Sequence, residues 1–189
     1  MKRYIFSLVC ISLGLYVFCA PSAYCEDNLA EETAAPISEA QQVLNTGFKN
    51  IFEDGNPQAA IIEFEKVVVL EPGNSQAYFG LGSAYFMQGD TAKAEKYFNK
   101  AILADFENAA AYEGLGNCYF WYGDYKKARE YYEKAIVIDK ERPWVYFHLG
   151  RLYSLTGNKN AALKQAEILA GLDKDLEKKL REQIAADNP

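Results

Sequence analysis

Residues 109–142 read AAAYEGLGNCYFWYGDYKKAREYYEKAIVIDKER, and this stretch decides the fold. Between Tyr112 and Tyr119, apolar and small residues recur at spacings of three and four, which places them on one face of a helix. Gly123 can end that helix in the left-handed conformation, and Asp124 can cap a second helix by accepting a backbone N–H bond. The stretch therefore predicts two helices joined by a tight turn.

The same pattern recurs with a period of 34 residues. Four segments, numbered here as repeats 1 to 4, cover residues 41–74, 75–108, 109–142 and 143–176. Position 15 of each repeat is glycine and position 16 is Asp or Asn, at Gly55-Asn56, Gly89-Asp90, Gly123-Asp124 and Gly157-Asn158. Position 20 is alanine every time, at Ala60, Ala94, Ala128 and Ala162. Four segments in register indicate an array of stacked helical hairpins.

Residue size at other positions predicts how the hairpins pack. Position 8 is glycine in repeats 2 to 4, at Gly82, Gly116 and Gly150, and a missing side chain there lets paired helices approach closely. In the second helix, positions 20, 24 and 27 are expected to face the first helix, and large residues at positions 4, 11 and 24 are expected to fill the space between repeats. Examples are Ala94, Phe98 and Ala101 in repeat 2 and Ala128, Tyr132 and Ala135 in repeat 3.

These residues resemble the tetratricopeptide repeat. The resemblance implies an all-α, right-handed superhelical solenoid whose first helices line a concave groove. Repeats 2 and 3 match nearly every signature position. Repeat 1 departs at Gly47 and Phe48, where Leu and Gly are expected, and repeat 4 departs at Ala166 and Leu169, where a large and a small residue are usual. Terminal repeats are often atypical because they cap the stack.

The ends of the array carry their own signals. Ser38-Glu39-Ala40-Gln41 has the sequence of a capping box and predicts the start of the first helix. Asp173 can cap a last helix through Leu176, Leu180 and Ile184, whose other face is rich in Lys and Arg. We therefore expect residues 177–189 to form a polar capping helix and tail, as such stacks need for solubility.

The amino terminus resembles a secretory signal. Lys2 and Arg3 precede seventeen uncharged residues, 4–20, and Ala23 and Cys25 suit cleavage after Cys25. The hypothesis is a signal peptide over 1–25, an acidic flexible leader over 26–40 and an exported, periplasmic protein. The alternative is that residues 4–20 are retained as an inner-membrane anchor, since seventeen residues are at the short limit for spanning a bilayer.

Composition argues against several functions. The net charge is -6 and the pI about 5, which disfavours nucleic acid as a partner. His148 is the only histidine and is expected to serve packing or the surface, and Cys118 is expected to be a small buried thiol. No paired carboxylates, phosphate-binding loop or metal-ligand spacing is evident. The expectation is a protein that is not an enzyme and holds no metal or cofactor.

What remains is a surface for a protein partner. In the family, positions 2, 5, 9, 12 and 13 point into the groove, and the same positions here are rich in aromatic residues. Carried over, they include the candidate site Phe79, Ser83, Phe86, Met87, Glu113, Asn117, Phe120, Trp121, Trp144, Phe147 and Arg151. Phe86 and Phe120, at position 12, are also explained by packing alone. Positions 2, 5 and 13 are expected to be less constrained, so Phe79, Trp121, Trp144 and Phe147 carry more weight. An exposed aromatic cluster of this kind usually marks an interaction site.

Two functions fit this surface. The first is an exported scaffold that binds a peptide or helix of a partner protein in the groove. The second is a membrane-anchored assembly subunit of an envelope secretion or pilus-type complex. A further alternative is that the groove is covered by the C-terminal helix, by the leader or, through self-association, by a second copy of the chain. Some family members grip a partner's terminal carboxylate, but of the five residues used only Asn117 and Arg151 match here, whereas Phe79, Ser83 and Phe147 do not.

Overall fold

The computed structural model describes residues 37–187, which belong to one compact unit, Ile37–Pro189. Within this part of the chain there are nine α-helices and no strand, so the all-α prediction is confirmed. The helices are α1 (Glu39–Phe52), α2 (Pro57–Leu70), α3 (Ser75–Met87), α4 (Thr91–Ala104), α5 (Ala109–Trp121), α6 (Tyr125–Ile138), α7 (Pro143–Leu155), α8 (Lys159–Leu172) and α9 (Lys174–Asp187). The proposed signal peptide and most of the proposed leader lie outside the described residues.

The helices stack as consecutive hairpins. Each repeat contributes one pair, from α1 with α2 to α7 with α8. Each odd-numbered helix from α3 onwards also packs on the preceding even-numbered helix, and neighbouring odd-numbered helices contact one another. The even-numbered helices form no such contacts with one another, so α1, α3, α5, α7 and α9 form one contiguous layer. We call these odd-numbered helices the inner helices and the even-numbered ones the outer helices.

The turns within the hairpins form as the sequence predicts. Gly55, Gly89, Gly123 and Gly157 have φ values of 59°, 81°, 77° and 77°, in the left-handed region that favours glycine. The residue after each of them caps the next helix through a side-chain oxygen that accepts a backbone N–H bond. The turn between repeats 1 and 2 differs in sequence but ends in the same way, because Asn74 caps α3.

Large rings from the even-numbered helices hold the stack together. Phe98 is buried between two glycines, Gly82 of its own repeat and Gly114 of the next. A Cβ atom on Gly82 would lie 2.6 Å from the Phe98 ring, and one on Gly114 would lie 2.5 Å from it. These glycines are therefore required by packing rather than by backbone conformation, and the expected close approach at position 8 is explained.

The two terminal repeats solve the same packing problem differently. In repeat 1, Gly47 takes the role of the position 8 glycine one residue early, since a Cβ there would lie 2.6 Å from the Phe64 ring. In repeat 4, position 24 is Ala166, and Leu180 of α9 occupies the space beside Gly150. Helix α9 begins at Lys174 and is capped by Asp173.

The start of α1 is only partly as predicted. Ser38 caps the helix by accepting the backbone N–H bond of Gln41, at 3.1 Å. The Gln41 side chain does not return to Ser38 as a capping box requires, but donates to Asn45 Oδ1 at 2.9 Å. Only the Ser38 half of the predicted capping box therefore forms.

Candidate functional site

Two adjoining cavities open on the inner helices. The first has a volume of about 370 Å³ and the second about 260 Å³, and they share Phe86, Asn117 and His148 in their walls. We refer to the two together as the aromatic groove. Rings from four odd-numbered helices line it, among them Phe52 of α1, which is almost three-quarters exposed.

The structure brings ten of the eleven candidate residues to this groove. The first cavity takes Phe79, Ser83, Phe86, Met87, Glu113, Asn117 and Trp144, and the second takes Phe86, Asn117, Phe120, Trp121 and Arg151. Phe147 lines neither cavity. It packs edge-on against Trp144, with ring centroids 5.6 Å apart, and so supports one ring of the groove wall.

The candidate aromatics differ in how much surface they offer. Trp121 is 73% exposed, Trp144 52% and Met87 51%. Phe79 is half-buried, and its ring lies 5.9 Å from Phe98 and 6.3 Å from Phe48. Phe79 at position 5 is therefore no more exposed than the position 12 rings, contrary to the expectation from sequence. Among the candidate residues, the two tryptophans and Met87 are the most exposed apolar groups.

Arg151 supplies the groove with a positive charge. Its guanidinium lies 5.4 Å from the Phe120 ring centroid and 5.8 Å from the Phe147 ring centroid, so both rings hold it by cation–π contact. Among the described residues, no Asp or Glu forms an ion pair with it. The charge is thus positioned by packing and remains available to a negatively charged group.

Glu113 is not available in the same way. It is nearly buried, and its Oε2 accepts hydrogen bonds from Arg142 Nη2 at 2.7 Å and Nε at 3.1 Å. Burial raises the pKa of Glu113, and Arg142 opposes that shift. Arg142 occupies the position where Asn74 and Asn108 cap the inner helices of repeats 2 and 3, but it caps nothing and reaches back to Glu113.

His148 is the group that reasoning from sequence did not assign to the site. It stands at position 6, where repeats 2 and 3 have Gly80 and Gly114, and its ring stacks on Tyr132 with centroids 5.9 Å apart. Burial, with a smaller contribution from Arg151, lowers the pKa of His148 to about 4. The imidazole is therefore neutral near pH 7. His148 packs on Tyr132, as expected, and also lines both cavities of the groove.

The chemistry of the groove is that of binding. Asn117 accepts a hydrogen bond from the Tyr132 hydroxyl at 2.8 Å, which fixes the amide in the wall. Cys118 is fully buried, as expected, and burial raises the pKa of its thiol to about 12, so the reactive thiolate is disfavoured. An arginine, an amide and exposed rings can hold a polypeptide segment through apolar contact and a few polar bonds. None of the described helices is long and apolar enough to cross a membrane.

Stacked helical hairpins with an exposed aromatic surface define a repeat protein of the scaffold class. A tetratricopeptide repeat profile matches residues 109–141, and a second profile of the same description matches residues 52–118. MamA, known from a crystal structure, is 30% identical in sequence to this protein. The match covers 78% of this chain and 81% of the MamA chain in that structure, with a TM-score of 0.58. The chain therefore belongs to the tetratricopeptide repeat family, whose members are generally non-catalytic scaffolds for other proteins.

More distant structures show the same fold. TTC0263, a thermophilic tetratricopeptide repeat protein of Thermus thermophilus, is 20% identical over 79% of this chain and 81% of its own, with a TM-score of 0.68. The first such domain of Spaghetti (RPAP3), solved bound to the HSP90 peptide SRMEEVD, is 23% identical over 62% and 93%, with a TM-score of 0.57. Among curated proteins, none matches the sequence.

Proposed function

We propose that this protein is an exported, non-catalytic scaffold that holds a peptide or helix of a partner protein in the aromatic groove, on the concave side of the stack. The observation that carries the proposal is the pair of exposed tryptophans, Trp121 and Trp144, which line the same groove as Arg151. The Trp144 ring is held by edge-on contact with Phe147 while about half of its surface stays exposed. A large ring held in this way loses little conformational freedom on binding, which is typical of interface anchors.

The groove also suggests the chemistry of the bound segment. Trp121, Trp144 and Met87 would take apolar side chains, because their exposed surface is removed from water on contact. Arg151 would take a carboxylate or a backbone carbonyl, since it has no acidic partner among the described residues. The peptide-bound structure of the Spaghetti domain supports a peptide ligand for this fold, although its similarity extends to the fold alone.

Export rests on residues 1–25, and the alternative proposal uses the same residues. If residues 4–20 are retained, the repeats would serve as a membrane-anchored subunit of an envelope secretion or pilus-type complex. The mass of the protein isolated from its native host separates the two. A mature chain that begins at Glu26 supports export as a free scaffold, and a chain that begins at Met1 supports the anchored subunit.

Photo-crosslinking in the native host tests the groove itself. The photoreactive residue p-benzoylphenylalanine would replace Met87 or Trp144 in the groove, and Lys96 or Lys164 on the outer helices as controls. We expect the groove positions to capture one defined segment of a partner, located by mass spectrometry, and the outer positions to capture none. Capture of the same segment from the outer positions alone would place the partner on another face and contradict the proposal.

A further inference from the structure

The aromatic groove continues into a third cleft at the edge of the stack. This cleft, which we call the rim cleft, has a volume of about 910 Å³ and lies beside the turns that precede α5 and α7. It shares Phe79, Ala110 and Arg142 with the first cavity of the groove. The two are therefore one continuous track, and a polypeptide longer than the groove has a path out over this edge.

The rim cleft differs from the groove in its charge. Asp105, Glu107 and Asp139 line it, and none of them forms an ion pair with a described Lys or Arg. The one basic residue in its wall is Arg142, which is already bound to Glu113. Among the described residues, the groove has a positive charge without an acidic partner, at Arg151, whereas the rim cleft has negative charges without basic partners. The two ends of the track therefore carry opposite charge.

The rim cleft also carries exposed apolar side chains. Phe106 is 73% exposed and Val137 is 79% exposed, and both line the cleft with Ile138. Phe106 stands at position 32, where the other repeats have Pro72, Lys140 and Lys174, so an exposed ring there is not a requirement of the repeat. Exposed apolar groups flanked by acidic ones favour a segment that presents both apolar and basic side chains.

We infer that the partner segment runs from the aromatic groove across the rim cleft, and that the part over the rim is basic. The inference rests on the proposed function, because it assumes that the groove is occupied. The occupant is one continuous polypeptide with an apolar stretch for Trp121, Trp144 and Met87, followed on one side by lysines or arginines that face Asp105, Glu107 and Asp139. Charge complementarity of this kind sets the direction in which the segment lies and raises its rate of association.

Selection of random peptides on the full chain tests the inference. A displayed library of 16-residue peptides is enriched on the wild-type protein, and the enriched peptides are measured against three variants. The first is Trp144→Ala. The second is the triple variant Asp105→Asn, Glu107→Gln, Asp139→Asn, in which both Asn residues can still accept the turn hydrogen bonds made at 2.9 Å. The third removes as many charges from exposed sites away from the track, by Glu65→Gln, Glu167→Gln and Glu182→Gln.

The inference predicts enriched peptides with an apolar stretch and at least two basic residues on one side of it. Affinity should fall about tenfold in the rim triple variant at low salt and little in the control triple variant. The difference should shrink near 1 M salt, where the screening length is about 3 Å. Groove-dependent peptides without a basic flank, unaffected by the rim triple variant, would overturn this inference and leave the proposed function intact. Peptides that bind Trp144→Ala as well as wild type would overturn both.

Discussion

Repeats 3 and 4 share one template and use it differently. In repeat 3 the ring at position 24, Tyr132, is buried beside the repeat's own Gly116. In repeat 4 position 24 is Ala166, and the matching space beside Gly150 is filled from outside the repeat by Leu180 of α9. A middle repeat therefore fills the space beside its own position 8 glycine, whereas the last repeat depends on the helix that follows it.

The inner helices of the two repeats differ as well. Position 6 is Gly114 in repeat 3 and His148 in repeat 4. Gly114 lets its helix lie directly on a phenylalanine ring, while His148 places an imidazole in the groove wall beside Glu113, with Nε2 3.9 Å from Oε1. Close packing of the inner helix on a buried ring in repeat 3 is therefore replaced in repeat 4 by polar side chains that line the groove.

The largest expected effect comes from filling the closed contact of repeat 3. In Gly116→Leu even the Cβ atom overlaps the Tyr132 ring, which is buried and cannot move aside. We expect a loss of about 3 kcal/mol or more in the free energy of unfolding, at the upper end for overpacked cores. Denaturant unfolding measures it. The control is Glu133→Ala, whose exposed ion pair with Arg129 should change stability by less than about 0.5 kcal/mol. Equal midpoints for the two variants would show that the register is wrong.

A smaller effect is expected where repeat 4 depends on α9. Leu180→Ala removes a fully buried side chain and leaves a gap beside Gly150, which should cost about 2–3 kcal/mol. Lys178→Ala on the exposed face of α9 is the matched control and should be neutral within about 0.5 kcal/mol. Hydrogen exchange should show faster opening of α7 and α8 in Leu180→Ala, with α3 and α4 unchanged. Uniform acceleration in all the helices would contradict this dependence of repeat 4 on its neighbour.

The imidazole of repeat 4 should make stability depend on pH. The pKa of His148 is about 4 when folded and about 6.5 in an unfolded chain, so the unfolded chain binds the proton first. Stability is therefore lost as the pH falls from about 6.5 towards 4. Between pH 7 and pH 5 we expect wild type to lose about 2 kcal/mol more than His148→Gln. Both proteins keep Glu113, so its titration largely cancels. Parallel stability curves would show that His148 is not held neutral.

The fold was predictable because its signals are local and repeated. A glycine followed by Asp or Asn ends one helix and caps the next with no help from distant residues, so Gly123 and Asp124 could be interpreted from the sequence alone. The position 8 glycines could be assigned to helix contacts for a similar reason, because three repeats show the same residue in the same register.

The candidate site was predictable in part. Comparing repeats position by position could also have singled out His148, against Gly80 and Gly114, and Arg142, against the asparagines that cap α3 and α5. The pairing of Arg142 with Glu113 could not be found in this way, because it joins residues 29 apart in sequence and exists only once two repeats are stacked. The filling of repeat 4 by Leu180 depends on tertiary packing for the same reason.

The smallest effect on stability is expected at the exposed face of the groove. Trp144 is half-exposed and stands in front of Phe147, so Trp144→Ala should change the free energy of unfolding by only about 0.5 kcal/mol. Thermal unfolding followed by circular dichroism measures it. A loss of several kcal/mol would instead assign Trp144 to the core, as one of the rings that hold the repeats together.

The central claim is that the aromatic groove binds a partner segment, and the affinity of that segment tests it most directly. A synthetic peptide of the segment captured by crosslinking is titrated into wild type, Trp144→Ala and Lys96→Ala, followed by a label on the peptide. We predict that Trp144→Ala weakens binding about thirtyfold, equivalent to about 2 kcal/mol, and that Lys96→Ala binds as wild type does. Equal affinity for all three proteins would contradict the claim and show that the groove aromatics serve packing or self-association.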